Sequence, residues 1–401
     1  MPTIISGMSG ITDVNANQLI IDVSKKMWLL KPSIAPFNVL LQKLPKRRVD
    51  SIEFRLFEDE KLPEWDTVKG NYLIDATAIT VDHLEYFQAG DLILNAKTQE
   101  RMYVKSLSGT DTLNVTREWG YSAGPPPEGF PKVAGTAADK ILIVSNALPE
   151  KSEKGGDSKI TKKEMVYNRT QKIHTIIELS NEELKHKMYG EDRRKYETKK
   201  MGIEQIEKIE KAFWFGTGAY VDQLLADGTT KRIATCDGVL SILAKSAKSN
   251  YLKLAGLTEA IWDKDVLPVV FAYGDRDNKV CFASAMLVSL LTSFAKDKLV
   301  VDNQRSKEYG IEIWNYRSPF GMLKMVYHPL FINDYRDLAV VVDMDCVEYV
   351  YFADEDNKLI TNLQNREKET VGGIRDMYFG HCAPFLANSL NHTVMRLEEA
   401  A

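Results

Sequence analysis

The sequence predicts an α+β fold on three observations. Short apolar–polar alternations crowd residues 72 to 146, and one long amphipathic helix stands alone between Asp192 and Phe215. Beyond Ser284 three strands follow a single helix, which favours mixed strand pairing over a doubly wound parallel sheet. Composition bounds the rest. The 401 residues carry 52 Lys+Arg against 56 Asp+Glu, a net charge of −4, which excludes a basic nucleic-acid binder. With 44% hydrophobic and 27% charged residues the chain can bury a core without disulfide or metal staples. Cys236, Cys281, Cys346 and Cys382 form neither a disulfide framework nor a zinc pattern, so buried thiols in a reducing compartment are expected. The longest apolar run, Leu338 to Val342, is far short of the ~20 residues of a membrane helix, and no export signal opens the chain.

In chain order, residues 1 to 24 hold no Lys or Arg and read as an extended arm. A short helix over Asp22 to Pro32 is broken by Pro32 and Pro36, and Val39-Leu40-Leu41 is the next apolar anchor. From Ser51, Ile52, Phe54 and Leu56 alternate with Glu53 and Arg55, predicting a strand toward Trp65. Ile79 and Val81, Leu92 to Leu94, Met102 and Val104, Leu113 and Val115, and Ile141 to Val144 then form a small β domain. Its turns include a hairpin at Ser108 to Asp111 and a stiff loop at Pro125 to Pro127. Residues 149 to 164 read as a polar loop.

Ser180 with Glu183 makes a capping box, and the helix that follows bends at Gly190, then runs from Asp192 to Phe215 before Gly216 and Gly218 stop it. Ile203, Ile206, Ile209 and Phe213 make its apolar stripe, with Glu204–Lys208 and Glu207–Lys211 as i, i+4 pairs. Further on, the pattern predicts a helix over Leu257 to Val266, a strand over Val269 to Tyr273 and a helix over Ser284 to Lys298. Strands at Ile311 to Tyr316, Leu323 to Tyr327, Leu338 to Val342 and Val347 to Phe352 complete the pattern, with a turn at Ser318 to Gly321.

Motifs that would carry chemistry are missing or incomplete. There is no phosphate-binding loop, and Gly216-Thr-Gly218-Ala-Tyr-Val221 lacks a third glycine and follows a helix rather than a strand. The six histidines lack metal-ligand spacing; His381 beside Cys382 is the one soft-metal pair, and it reads as a core or surface pair. Asp343 with Asp345, Asp275 with Asp277, and Asp354 with Asp356 could hold Mg²⁺ or act as acid and base, but each falls at a strand end or turn where short acidic residues serve the backbone.

The order of parts resembles the major capsid proteins of tailed bacteriophages, in particular those with an inserted β domain. The likeness rests on Asp22 to Glu60 with its Pro36-Phe-Asn-Val-Leu-Leu anchor; on Ile79-Thr-Val-Asp82, Phe87-Gln-Ala-Gly-Asp91, Gln99 to Val104 and Leu113 to Arg117; on Asn168-Arg-Thr-Gln171 through Glu210; and on Tyr316 to Gly321 with Asp343. It departs at Leu179-Ser180-Asn181, where extra charged residues precede the helix. The resemblance implies an N-arm (1–50), the first strand of an E-loop (51–71), an inserted β domain (72–146), the E-loop return (147–180), a spine helix with peripheral domain (181–229), an axial domain (230–345) and further peripheral and C-terminal segments (346–401).

It also implies assembly contacts at Pro36, Phe37 and Leu40 of the arm, Phe54 and Trp65 of the loop, Ile203, Ile206 and Phe213 of the helix, and Pro319 and Phe320 near the capsomer centre. The implied partner is the chain itself, as hexamers and pentamers of an icosahedral shell enclosing double-stranded DNA without sequence specificity. Portal and possible decoration proteins accompany it, and, with no scaffold-like extension ahead of the arm, the expectation is either a separate scaffold or a processed segment missing from this chain. Assembly is expected in the host cytoplasm, with no cofactor, metal, catalytic residue or membrane. The cation-free arm fits a genome pumped in afterwards rather than condensed by the shell protein. The alternatives are another phage structural protein, such as a tail-tube or decoration component, and a carboxylate-metal enzyme using Asp343 and Asp345.

Overall fold

The computed structural model describes residues 35–120, 132–147, 150, 159–186, 192–224, 228–246, 250–294, 307–308, 311–363 and 372–398. The expected arm over 1 to 24, the helix over Asp22 to Pro32 and the loop at Pro125 to Pro127 lie outside them. The chain divides into two compact units, Phe57–Met165 and the remainder. The smaller unit is wider than the expected 72 to 146, because Trp65–Thr67 pairs with Lys140–Asn146 and belongs to the same sheet.

That sheet has six strands in the order Trp65–Thr67, Lys140–Asn146, Asp91–Asn95, Arg101–Ser108, Thr112–Thr116, Ala78–Thr80. Its two ends meet: Val68 bridges Val81, the Lys69 amide donates to the Thr80 carbonyl (2.9 Å) and the Asp82 amide to that of Thr67 (3.1 Å). The result is a closed antiparallel barrel, whose first and last strands pair with each other rather than standing open as edges. Period-two patterning builds it, with Ile79, Ile93, Met102, Val104, Leu113 and Ile141 fully inward. Inside, Arg117 grips Glu100 through two bonds of 2.6 Å and donates to the carbonyls of Leu73, Ala76 and Val133. One buried guanidinium thereby ties two irregular segments to the barrel wall.

The larger unit contains a five-stranded and a seven-stranded sheet. The first joins Lys46–Val49, Val347–Phe352, Gly373–Leu386 and Gln171–Ser180 in that order, with Lys358–Ile360 also on Gly373–Leu386. The second runs Asn250–Leu254, Thr393–Leu397, Leu338–Asp343, Lys279–Ala283, Gly321–Tyr327, Ile311–Ser318, Lys307–Glu308. Lys279–Ala283 pairs parallel with one neighbour and antiparallel with the other, the mixed pairing expected of α+β. Both faces of this sheet are buried: Val280, Phe282, Val340 and Val342 enter one core, Cys281, Ala283, Ala339 and Val341 the other. The apolar run at Leu338 to Val342 follows from that two-sided burial.

One expected strand is absent. Val269 to Tyr273 instead contains the end of a helical stretch that starts at Glu259 and widens to a π-turn over Trp262–Val266. Pro268 has no N–H to donate in the α pattern, and the Leu267 amide reaches back to the Trp262 carbonyl instead. The long helix, Arg193–Phe215, is capped by Asp192, whose carboxylate accepts the Lys195 amide at 3.1 Å, and stops at Gly216 as expected. Its buried face differs from the predicted stripe. Ile209 and Phe213 are inward, but Ile203 and Ile206 are only half-buried, and their places are taken by Gln205 and Glu210. Gln205 is held there by hydrogen bonds to the Ile173 carbonyl and the Thr175 hydroxyl, both 2.9 Å.

Candidate assembly surfaces

A short helix, Pro36–Leu41, seats on the long helix through a carboxylate. Pro36 suits the first turn, where no N–H is needed, and its successors present two free amides. Glu210, fully buried and 172 to 173 residues away, accepts both: Phe37 at 3.0 Å and Asn38 at 2.8 Å. The same carboxylate accepts the Trp214 indole (3.2 Å) and lies 2.8 Å from His328 Nε2. Because His328 Nδ1 accepts the Leu330 amide, Nε2 carries the proton and donates to Glu210. Four donors thus satisfy one buried carboxylate, and Phe37 packs into the aromatic socket of Trp214 and Phe282, with centroids 4.9 and 5.4 Å away. Neither Glu210 nor His328 is signalled by apolar periodicity; a charged residue inside an otherwise buried stripe was the available hint.

The expected assembly residues occupy several places rather than one. Pro36, Phe37 and Phe213 are buried in the core beneath the seven-stranded sheet, with Leu40 packed at its margin. Phe54 is buried against Phe385 at 5.7 Å. Trp65 is exposed on the barrel, and Pro319 and Phe320 are exposed at the turn between two strands of the seven-stranded sheet. Ile203 and Ile206 are half-covered on the long helix.

Past that helix the chain forms a ribbon that periodicity did not reveal, Ala219–Leu224 paired with Thr230–Thr235. Its root is fixed. Asp237 accepts the Gly218 amide (2.7 Å) and the Ser241 hydroxyl (2.7 Å), and the Thr235 hydroxyl accepts the Ala219 amide and donates to the Thr217 carbonyl. Gly238 sits where a Cβ would lie 2.8 Å from the Phe213 and Trp214 carbonyls, so only glycine lets the ribbon's return strand cross the helix end this closely. Beyond the root every residue from Tyr220 to Leu224 and from Thr230 to Ile233 is exposed.

The acidic pairs are structural where the structure places them. Asp343 is buried; its carboxylate accepts the amides of Asp275 (3.1 Å) and Asp345 (3.2 Å), and its own amide donates to His392 Nδ1 (3.2 Å). Gly274, at φ +78°, has no room for a Cβ beside that carboxylate. Burial raises the Asp343 pKa and lowers that of Lys279, whose ammonium donates to the Asn391 carbonyl at 2.9 Å. Among the described residues no group of three or more His, Cys, Asp or Glu side chains gathers to hold a metal ion. His381 and Cys382, adjacent on a strand, point to opposite faces: the imidazole lies between Glu355 (3.0 Å) and Thr170 (2.9 Å), and burial pushes the Cys382 thiol up to about 12. No helix among the described residues is long and apolar enough to cross a membrane.

The described residues thus hold a closed barrel, a long helix and an open ribbon, and Asp343 is engaged by backbone amides at a turn. The model of the SU10 major capsid protein family matches residues 7–374. The chain belongs to the SU10 major capsid protein family. No curated protein matches it. Among solved structures it is similar to the capsid of a native GTA particle, at 11% identity over 98% of this chain and 99% of that one, with a TM-score of 0.47. It is also similar to Gordonia phage Cozz (11% identity, 95% and 92% covered, TM-score 0.47) and Mycobacterium phage Cain (11%, 98% and 100%, 0.46). As a major capsid protein it is a shell-forming subunit, and its family is a structural one.

Proposed function

We propose that this capsid protein forms hexamers and pentamers that close into an icosahedral phage head around double-stranded DNA. The family match over residues 7–374 carries the reading. The axial domain corresponds to residues 230–345 with all of the seven-stranded sheet except Thr393–Leu397, which the C-terminal segment supplies, the spine helix to Arg193–Phe215, and the E-loop to the strands Glu53–Glu58 and Glu164–Arg169, between which the barrel is inserted. Self-association through closed symmetry needs no catalytic group, and none is assigned. DNA is held without base-specific contacts by a chain whose net charge is −4. Scaffold, portal and decoration proteins are its expected partners, and assembly takes place in the host cytoplasm. Electron microscopy of the purified chain, alone and with its scaffold, tests the reading: closed shells are expected, and tubes or a persistent monomer would overturn it.

A further inference from the structure

The ribbon at 219–235 is well rooted and uncovered, a combination that a two-stranded sheet does not sustain alone. Its register sorts the side chains. Tyr220, Asp222 and Leu224 share one face with Ala234, Arg232 and Thr230, and there Arg232 pairs with Asp222 (3.0 Å) and stacks over Tyr220 (4.8 Å). Val221 and Ile233 stand directly opposite each other on the other face, flanked by Lys231, and are 58% and 46% exposed. We propose that this second face is an intersubunit contact that docks on a second copy of the chain, at the exposed turn carrying Ile332, Asp334 and Tyr335.

Size and charge support a second copy as the occupant. Strands of this length span roughly 20 Å and a two-stranded face roughly 10 Å, so one face covers on the order of 200 Å². A stable pair of proteins needs about 800 Å² per partner, so the ribbon cannot hold a dimer by itself and acts only where each copy has several neighbours at once, as in a closed shell. The turn at 332–335 complements that face: Ile332 and Tyr335 are exposed for Val221 and Ile233 to pack on, and the Asp334 carboxylate between them can meet Lys231. Tyr335 packs on Phe215 at 4.7 Å, four residues before the ribbon begins, so donor and acceptor flank the same helix end without overlapping. Distinct, adjacent patches generate a head-to-tail contact that propagates around a ring.

The inference rests on the shell reading above, and the test separates the two. Val221→Asp/Ile233→Asp, both exposed in the protomer, should melt with the wild type yet need at least about tenfold more protein to assemble, because the charges must be desolvated in the contact. Lys231→Glu should weaken assembly, and adding Asp334→Lys to the same chain should restore it. Wild-type shells together with undiminished assembly of the double variant would overturn the ribbon contact. Weakened assembly with no restoration by the charge exchange would overturn the 332–335 acceptor. If the wild type itself forms no shells, the parent reading falls and this contact falls with it.

Discussion

The barrel and the ribbon are both antiparallel β-structure, but one is complete and the other is open. The barrel joins its first and last strands through the Val68–Val81 bridge and fills its interior with apolar side chains and one satisfied ion pair. The ribbon ends after two strands with apolar groups in solvent. A sheet that closes on itself carries its stability within the chain; an open one must take it from a neighbour. The difference separates what folds each protomer from what joins protomers.

The largest effect is expected where the barrel's interior charge is broken. Arg117→Met leaves Glu100 buried without its partner and should cost about 3–5 kcal/mol. Thermal unfolding followed at the barrel tryptophans should show that loss, with the melting of the long helix unchanged; an equal loss in both would mean that the barrel does not stand by itself. Next is Glu210→Ala, which strands the amides of Phe37 and Asn38 and the donors on Trp214 and His328, for about 3 kcal/mol or more. Urea denaturation should detect it, and proteolysis near Pro36 should accelerate.

A pH-dependent effect follows from His392, fully buried, with Nε2 donating to the Ala387 carbonyl and burial lowering its pKa from 6.5 to about 4. Above pH 6.5 both folded and unfolded forms are neutral and the group contributes no slope. As pH falls toward 4 the unfolded chain takes up a proton that the folded one refuses, so stability drops by up to about 3 kcal/mol and then levels off. The raised pKa of Asp343 works in the opposite direction, since the folded state binds that proton first. His392→Asn should flatten the decline between pH 6.5 and 4 in denaturant titrations; an unaltered slope would assign it elsewhere. Smaller still, Ile206→Asp should cost about 1 kcal/mol, not the 3 of a core position, because the side chain is half-buried. Glu207→Gln, losing a surface pair with Lys211, should change the melting temperature by little.

What was legible in the sequence divides along the same line. The barrel strands alternate because one face is wet and one dry, and the long helix announces itself by its i, i+4 charge pairs and its stop at Gly216, while the Ser180 box caps a separate short helix, Asn181–Lys185. The inward stripe was misassigned because Gln205 and Glu210 are buried through hydrogen bonds to residues far away in sequence, which no local period records. The ribbon was illegible for a related reason: a strand pair with both faces in solvent has no alternation to display. Val269 to Tyr273 is not a strand because the helical stretch from Glu259 runs on through a π-turn past Pro268, which has no amide to donate.

Hydrogen exchange on the full chain before and after assembly tests the comparison most directly. In the free protomer the barrel amides should exchange slowly and those of 219–224 and 230–235 fast. In the assembled shell the ribbon amides should become protected while the barrel stays as it was. Ribbon amides that still exchange at protomer rates inside a closed shell would contradict the account.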